Sequence, residues 1–377
     1  MDLSFLGDTA SSIAVSALAF LFVLTVVVFF HELGHFQVAR WCGVRVETFS
    51  VGFGRELFGV TDRHGTRWKF CWVPLGGYVK FLGDDSVAST PNRDNATALN
   101  APDSFHAKSV GRRAAIVAAG PFANFLLAVV IYAVLFATFG KPITLPIVDQ
   151  VQEASAAEEA GFRPGDLIVS IDGRSIESFS DVTRIVEQSA GLELSIVVER
   201  DGEQAVLAAT PRLQEKVGPF GNSSRVGLLG VASSGAAQSR EVQRYDPASA
   251  LWAGATETYR VVEATLGYLG GVITGRQSAD QLGGPIRIAQ ISGQAASLGF
   301  LVLINLAAVL SVSIGLINLF PIPMLDGGHL LFFGIEALRG RPLSESVQDI
   351  GFRIGLGLVL MLMLFATWND LVQLDVF

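Results

Sequence analysis

Four long stretches of this chain contain no Asp, Glu, Lys or Arg: Thr9 to His31, Ala114 to Gly140, Ile288 to Leu325 and Ile354 to Asn369. Crossing a hydrocarbon core about 30 Å thick takes roughly 20 mostly apolar residues in a helix, so each stretch is a candidate span. The composition agrees, with 50% hydrophobic and only 16% charged residues in 377, which excludes disorder and argues against a purely soluble protein. The formal charge of -8, with its basic residues scattered, offers no support for a nucleic-acid partner. Cys42 and Cys71 are too few for a disulfide scaffold and resemble no thiolate metal site, so both are expected as free thiols.

The first run could be read as a signal peptide, but only Asp2 and Asp8 precede it and no small-residue cleavage site follows, so an uncleaved helix is expected. Arg112 and Arg113 anchor the second run. In the third, Pro321 and Pro323 should end a helix running from about Ala295 to Leu319, and the non-helical stretch beyond it needs shielding by protein. The fourth run, 16 residues, is slightly short for a span. The segment from Glu32 to Arg113 holds eleven Lys and Arg, whereas neither terminal tail has any. The positive-inside rule then places both termini outside and the loops after helices one and three in the cytoplasm.

Between the second and third runs the chain turns polar. Strand-like stretches at Asp166 to Ile171, Leu192 to Arg200 and Ala205 to Ala209 are punctuated by Asp172-Gly173 and Asp201-Gly202, with a helix-like Asp181 to Ser189 among them. The wording Glu159-Ala160-Gly161-Phe162-Arg163-Pro164-Gly165-Asp166-Leu167-Ile168, followed by Ser170-Ile171-Asp172-Gly173, resembles a bacterial PDZ domain. Such domains bind extended peptides by strand addition. Val217 to Arg240 reads as linker or loose strands, and Leu251, Ala255, Tyr259, Val262, Leu266 and Leu269 recur at helical spacing as an amphipathic helix, at the outer membrane surface or against the bundle.

The sharpest chemical signal is His31-Glu32-Leu33-Gly34-His35 at the end of the first run. On a helix, His31 and His35 stand one turn apart on one face and can offer two imidazoles to zinc, while Glu32 can serve as general base toward water. Ionisable residues at the end of an apolar helix are expensive and so mark function. A catalytic zinc site needs a third protein ligand, and Asp326 is the candidate: it follows Asn318-Leu319-Phe320-Pro321-Ile322-Pro323-Met324-Leu325 and precedes Gly327-Gly328-His329, on the same side as His31. His329 is expected as a neighbour or capping residue rather than a ligand.

Together these two motifs, almost 300 residues apart, resemble the site-2 protease family of intramembrane zinc metalloproteases, of the bacterial type with a PDZ domain. The resemblance implies that His31, His35 and Asp326 bind one zinc ion, that Glu32 activates water, and that Asn318 orients the substrate peptide or stabilises the reacting carbonyl. Val73-Pro74-Leu75-Gly76-Gly77-Tyr78-Val79-Lys80 resembles the family's membrane-associated hairpin, so Gly76, Gly77 and Tyr78 are expected beside an extended substrate. Trp68 to Val73 and Tyr78 to Leu82 could be its two strands, joined at Pro74 to Gly77. Gly120-Pro121-Phe122-Ala123-Asn124 resembles the family's second core helix, where Asn124 serves either structure or substrate contact.

The fold class expected is a polytopic α-helical membrane protein with four transmembrane helices, a membrane-associated β-hairpin and an inserted extracytoplasmic PDZ-like α/β domain. Its segments are the first helix (1–35), hairpin region (36–110), second helix (111–140), PDZ-like domain (141–213), linker and surface helices (214–294), third helix with the ligand loop (295–335), and fourth helix with an outward tail (336–377). By resemblance the protein lies in a bacterial inner membrane and cleaves single-pass membrane proteins already shortened by an upstream site-1-type protease. Anti-sigma factors are one such substrate class and signal-peptide remnants another. A PDZ scaffold without activity is the main competing reading, and a metal transporter is disfavoured by the nearly polar-free second and fourth runs.

Overall fold

The computed structural model describes residues 4–83, 101–217, 223–233, 240–275, 279 and 283–373. The described residues form two compact units, the first within Met1–Val134, Leu251–Thr265 and Leu282–Phe377, the second within Leu135–Ala250 and Leu266–Gln281.

In the first unit, helix α1 (Ser4–Trp41) carries His31-Glu32-Leu33-Gly34-His35 inside its last three turns and continues past His35. Strands β1 (Val46–Thr61) and β2 (Arg67–Phe81) follow, then helix α2 (Val110–Thr138). The hairpin turn lies at Asp62 to Thr66, not at Pro74 to Gly77 as the sequence suggested. Asp62 decides this: its carboxylate accepts hydrogen bonds from the backbone N–H groups of His64 and Thr66 and from Trp68 Nε1, closing the turn. Pro74 to Gly77 instead interrupts one long strand, since Phe53 pairs with Val73 and Val51 with Gly77. Phe49 pairs with both Val79 and Trp68, and Trp68 in turn with Val60, so the segments lie in the order 56–61, 67–71, 48–51, 77–81, with 77–81 at an edge. Phe36 of α1 binds this sheet, with its ring 5.6 Å from Phe49 and 4.9 Å from Trp68.

The third charge-free run forms two helices, α6 (Pro285–Leu298) and α7 (Phe300–Asn318), after helix α5 (Pro247–Ile273). Gly299, at φ 124°, breaks what the sequence suggested was continuous helix from Ala295. A turn then leads to helix α8 (Asp326–Arg339), followed by α9 (Glu345–Gln373). Arg113 pairs with Glu336 at 2.6 Å and ties α8 to α2. The fourth run is not short: α9 extends beyond it at both ends, giving an apolar span of Ser346–Val372. Four helices, at Ile13–Trp41, Val110–Thr138, Phe300–Asn318 and Ser346–Val372, are long and apolar enough to cross a membrane. The expected outward tail from residue 374 and the hairpin-region stretch 84–100 lie outside the described residues.

Helix α5 is amphipathic, but its small residues face inward. Gly254 abuts α2, where a Cβ would stand 2.6 Å from the Val129 carbonyl oxygen, and Thr258 is buried, whereas Leu251, Trp252, Tyr259 and Leu266 are exposed. Small residues on the contacting face let the two helix backbones approach closely.

The second unit holds a four-stranded sheet in the order β6-β5-β7-β8: β5 (Leu167–Ile171), β6 (Arg174–Ser175), β7 (Leu194–Arg200) and β8 (Glu203–Ala209). Asp172 and Gly173, with φ of 49° and 74°, make the β5–β6 turn, as Asp201 and Gly202 do between β7 and β8. Before this sheet come β3 (Lys141–Thr144), β4 (Gln150–Val151) and the short helix α3 (Ala156–Ala160), and helix α4 (Phe179–Gln188) packs Val182 and Val186 onto Ile168, Ile171, Ile196 and Val198, all buried. The stretch expected as linker or loose strands contributes strands to this unit. Arg212–Val217 pairs with Ser223–Leu228, Val231 pairs with Val151, Arg240–Gln243 pairs with Lys141–Thr144, and Leu229 enters the core. Apolar Val226, Leu228, Leu229 and Val231 give these strands something to bury, and they carry the unit well beyond residue 213.

Candidate metal centre

Helix α1 sets His31 and His35 one turn apart, and their Nε2 atoms lie 3.2 Å from each other. Asp326, in the first turn of α8, brings Oδ2 to 3.1 Å from His31 Nε2 and 3.5 Å from His35 Nε2. These side chains are 11%, 12% and 18% exposed. Among the described residues they form the group able to hold a metal ion.

The triangle fits zinc. Ligand bonds of about 2.0–2.1 Å at tetrahedral angles separate donor atoms by roughly 3.3 Å. Oδ2 of Asp326 is buried without a hydrogen-bond partner, as suits an acceptor kept for a metal ion. The Nδ1 of His35 lies 2.9 Å from the Ile116 carbonyl oxygen, which can only accept, so Nδ1 donates and in the neutral ring Nε2 carries the lone pair.

Helix α2 supplies the wall. A Cβ at Gly120 would stand 2.2 Å from His35 Nε2 and 2.9 Å from His31 Cε1, so only glycine leaves room for both rings. Gly34, within the motif, approaches α2 so closely that a Cβ would meet the Ala119 carbonyl oxygen at 2.3 Å. Asn124 is fully buried, with its side-chain nitrogen 3.2 Å from His31 Nδ1, and Ser311 Oγ of α7 donates to its backbone carbonyl at 2.8 Å. The sequence suggested structure or substrate contact for Asn124; the structure places it on a histidine.

The turn between α7 and α8 aims Asp326. Met324 adopts φ 91°, a conformation that costs a side-chain-bearing residue on the order of 1–3 kcal/mol. Gly327 and Gly328 let α8 start against the same turn, where Cβ atoms would meet the Phe320 and Ile322 carbonyl oxygens at 2.2 and 2.4 Å. Asn318, expected to touch substrate, is half-buried and donates to Ile314 of its own helix at 3.1 Å. His329 packs its ring 5.4 Å from Phe352 and lines a cavity of about 290 Å³ with Arg113, Glu336 and Phe333.

The sheet edge reaches Glu32. The Val79 backbone amide faces its carboxylate, and a Cβ on Gly77 would lie 3.1 Å from Glu32 Cγ and 3.1 Å from Val28 Cγ1. Gly76 and Tyr78 are turned elsewhere: a Cβ on Gly76 would strike the Phe53 ring at 2.5 Å, and Tyr78 stacks on Phe53 at 6.0 Å. Sequence reasoning missed Ile116, which acts through its backbone and leaves no side-chain signal, and Ser311, an ordinary residue in an apolar helix.

A transmembrane-type helical scaffold with a buried His-His-Asp cluster and an adjoining glutamate defines a metal-dependent hydrolase class. The model for peptidase family M50 matches residues 19–362, and the chain belongs to that family, the site-2 protease family of zinc metalloproteases. A Rhizobium meliloti protein named "Putative zinc metalloprotease" is 52% identical over 356 residues, covering 93% of this chain and 95% of that one. Metalloprotease MmpA of Caulobacter vibrioides is 41% identical over 382 residues, covering 95% of each. The PDZ domain of an SdrC-like protein from Listeria monocytogenes matches 23% of this chain and 83% of its own at 17% identity, with a TM-score of 0.19.

Proposed function

We propose that His31, His35 and Asp326 hold one zinc ion and that Glu32 is the general base of an endopeptidase cutting in or near transmembrane segments. The observation that carries this reading is the donor triangle, with edges of 3.1, 3.2 and 3.5 Å, beside Glu32. Zinc, when bound, supplies Lewis acidity at the scissile carbonyl and at water. Glu32 takes a proton from the attacking water and delivers it to the leaving amine. Its carboxylate is oriented by the Val79 amide and has room because residue 77 is glycine.

A helix buries its carbonyls in its own hydrogen bonds, so the substrate must be extended where it is cut. The edge segment 77–81, ending beside Glu32, is suited to hold such a strand by backbone pairing, with Gly76 and Tyr78 setting its bulge. Asn318 would orient the peptide or the reacting carbonyl after releasing Ile314. The substrate class is a single-pass membrane protein pre-cleaved by an upstream protease, such as an anti-sigma factor. The second unit, PDZ-like in its sequence, would filter by size or bind the new terminus. The charge asymmetry supports a bacterial inner-membrane location with both termini and the PDZ-like unit outside.

Reconstituted wild type and Glu32→Gln, given a membrane-spanning reporter, test this directly. Expected is cleavage by the wild type, its loss in E32Q and near-stoichiometric zinc in both. Cleavage by E32Q at the wild-type rate would overturn the base assignment.

A further inference from the structure

Both histidines of the triangle have an outer partner on α2, two turns apart: Ile116 for His35 and Asn124 for His31. The first is a backbone carbonyl and has one possible role. The second is an amide, whose oxygen and nitrogen differ only by a half-turn of the side chain.

We infer that Asn124 is the positioning residue that fixes the tautomer of His31, with Oδ1 accepting a hydrogen bond from His31 Nδ1–H so that Nε2 keeps its lone pair for the metal. The inference rests on the ligand assignment above. With Nδ2 toward His31, the amide would donate to Nδ1 and force the ring proton onto Nε2, where Asp326 Oδ2 at 3.1 Å and His35 Nε2 at 3.2 Å already converge. That orientation also leaves Oδ1 buried with no partner. Turning the amide exchanges the places of Oδ1 and Nδ2, so one amide atom stays unpartnered either way, and the choice rests on the ring: the turned form leaves both histidines with Nε2 free for the metal. Asn124 is held for this task from two sides, by Ser311 Oγ on its backbone carbonyl and by Gly315, where a Cβ would come within 3.1 Å of the Asn124 Cβ. Among the described residues Asn124 is the hydrogen-bond partner of His31 Nδ1, so the amide's orientation decides whether the ring proton sits on Nδ1 or on Nε2.

The test uses the full-length protein in detergent and two readouts besides activity. In a zinc competition titration against a chromophoric chelator, Asn124→Leu, similar in shape but unable to accept, is expected to lose about 10- to 100-fold in affinity, the usual effect of deleting an outer-shell partner of a metal-bound histidine. Asn124→Asp, which accepts at both oxygens, is expected to bind zinc at least as well as the wild type. Wild-type affinity in N124L, or an equal loss in N124D and N124L, would overturn the inference. Should N124L fail to fold, ¹⁵N-histidine spectra of wild type decide: the proton on Nδ1 of His31 is expected, and a proton on Nε2 overturns it. Asp326→Ala and His31→Ala report separately on the ligand assignment, since wild-type zinc binding by either refutes that assignment itself.

Discussion

A Cβ on Gly120 would stand 2.2 Å from Nε2 of His35, the atom facing Asp326. Residue 120 therefore has no side chain because the rings of His31 and His35 occupy the place one would take. Gly120→Ala is expected to displace one ring at the cost of overpacking, about 1–3 kcal/mol, which corresponds to roughly 5- to 150-fold weaker zinc binding. Zinc titration beside a thermal melt checks this, because a loss of stability with unchanged zinc affinity would place the clash away from the ligands.

The start of α8 offers a second, independent way to disturb the triangle. Gly327 faces the Phe320 and Leu319 carbonyl oxygens at 2.2 and 2.4 Å from a would-be Cβ, and backbone cannot step aside as a flexible side chain does. Gly327→Ala should move Asp326 while leaving α1 in place. The expected outcome is loss of peptidase activity and at least about tenfold weaker zinc binding, equivalent to about 1.4 kcal/mol. Full activity in this variant would show that the turn has slack.

Asp370, near the end of α9, caps α6. It is buried, and its carboxylate accepts from the backbone N–H groups of Gly284, Ile286 and Arg287 at 2.8, 3.1 and 3.1 Å. Losing such a cap typically costs about 0.5–2 kcal/mol. Asp370→Ala should lower the melting temperature in detergent and speed amide exchange over residues 284–288. Unchanged exchange there would mean another group satisfies the helix terminus.

In the second unit, Asp166 is fully buried beside Arg200, with oxygen–nitrogen distances of 2.7 and 2.8 Å. Burial pushes its carboxyl up, but the hydrogen bonds from Arg200 and the Arg163 amide outweigh this and hold it below its ordinary value. A folded value below the unfolded one, near 3.9, means the stabilisation is present above that pH and drains away as pH falls through the folded value. Amide protection across residues 167–200, taken relative to the intrinsic exchange rate at each pH, should fall below about pH 4 in the wild type. Asp166→Asn should exchange faster at neutral pH and lose that acid dependence; an unaltered acid response would assign it to another carboxylate.

Much of the site was legible beforehand because its chemistry is local. His31, Glu32 and His35 belong to one helical turn, and the Asp172-Gly173 and Asp201-Gly202 turns require only local φ values, which the structure bears out. The hairpin turn was misplaced because Pro74-Leu75-Gly76-Gly77 looks more turn-like than Asp62 to Thr66, whose closure depends on an aspartate side chain and Trp68. The division at Gly299 is not legible, and the stretch after residue 213 reads equally as linker or loose strands, because one glycine in an apolar run, and glycine-rich strands, are weak local signals.

What the sequence determined alone is the set of reacting groups and the apolar lengths that carry them, since both follow from residue type and spacing along one helix or one run. Only the tertiary structure decided which groups meet. Asp326 lies almost 300 residues from His31 yet within 3.1 Å of it, and the groups that meet the outer nitrogens of the two histidines, Ile116 and Asn124, come from a third helix. Such convergence depends on where glycines let backbones approach, a property of packed pairs of helices that no single stretch of sequence contains.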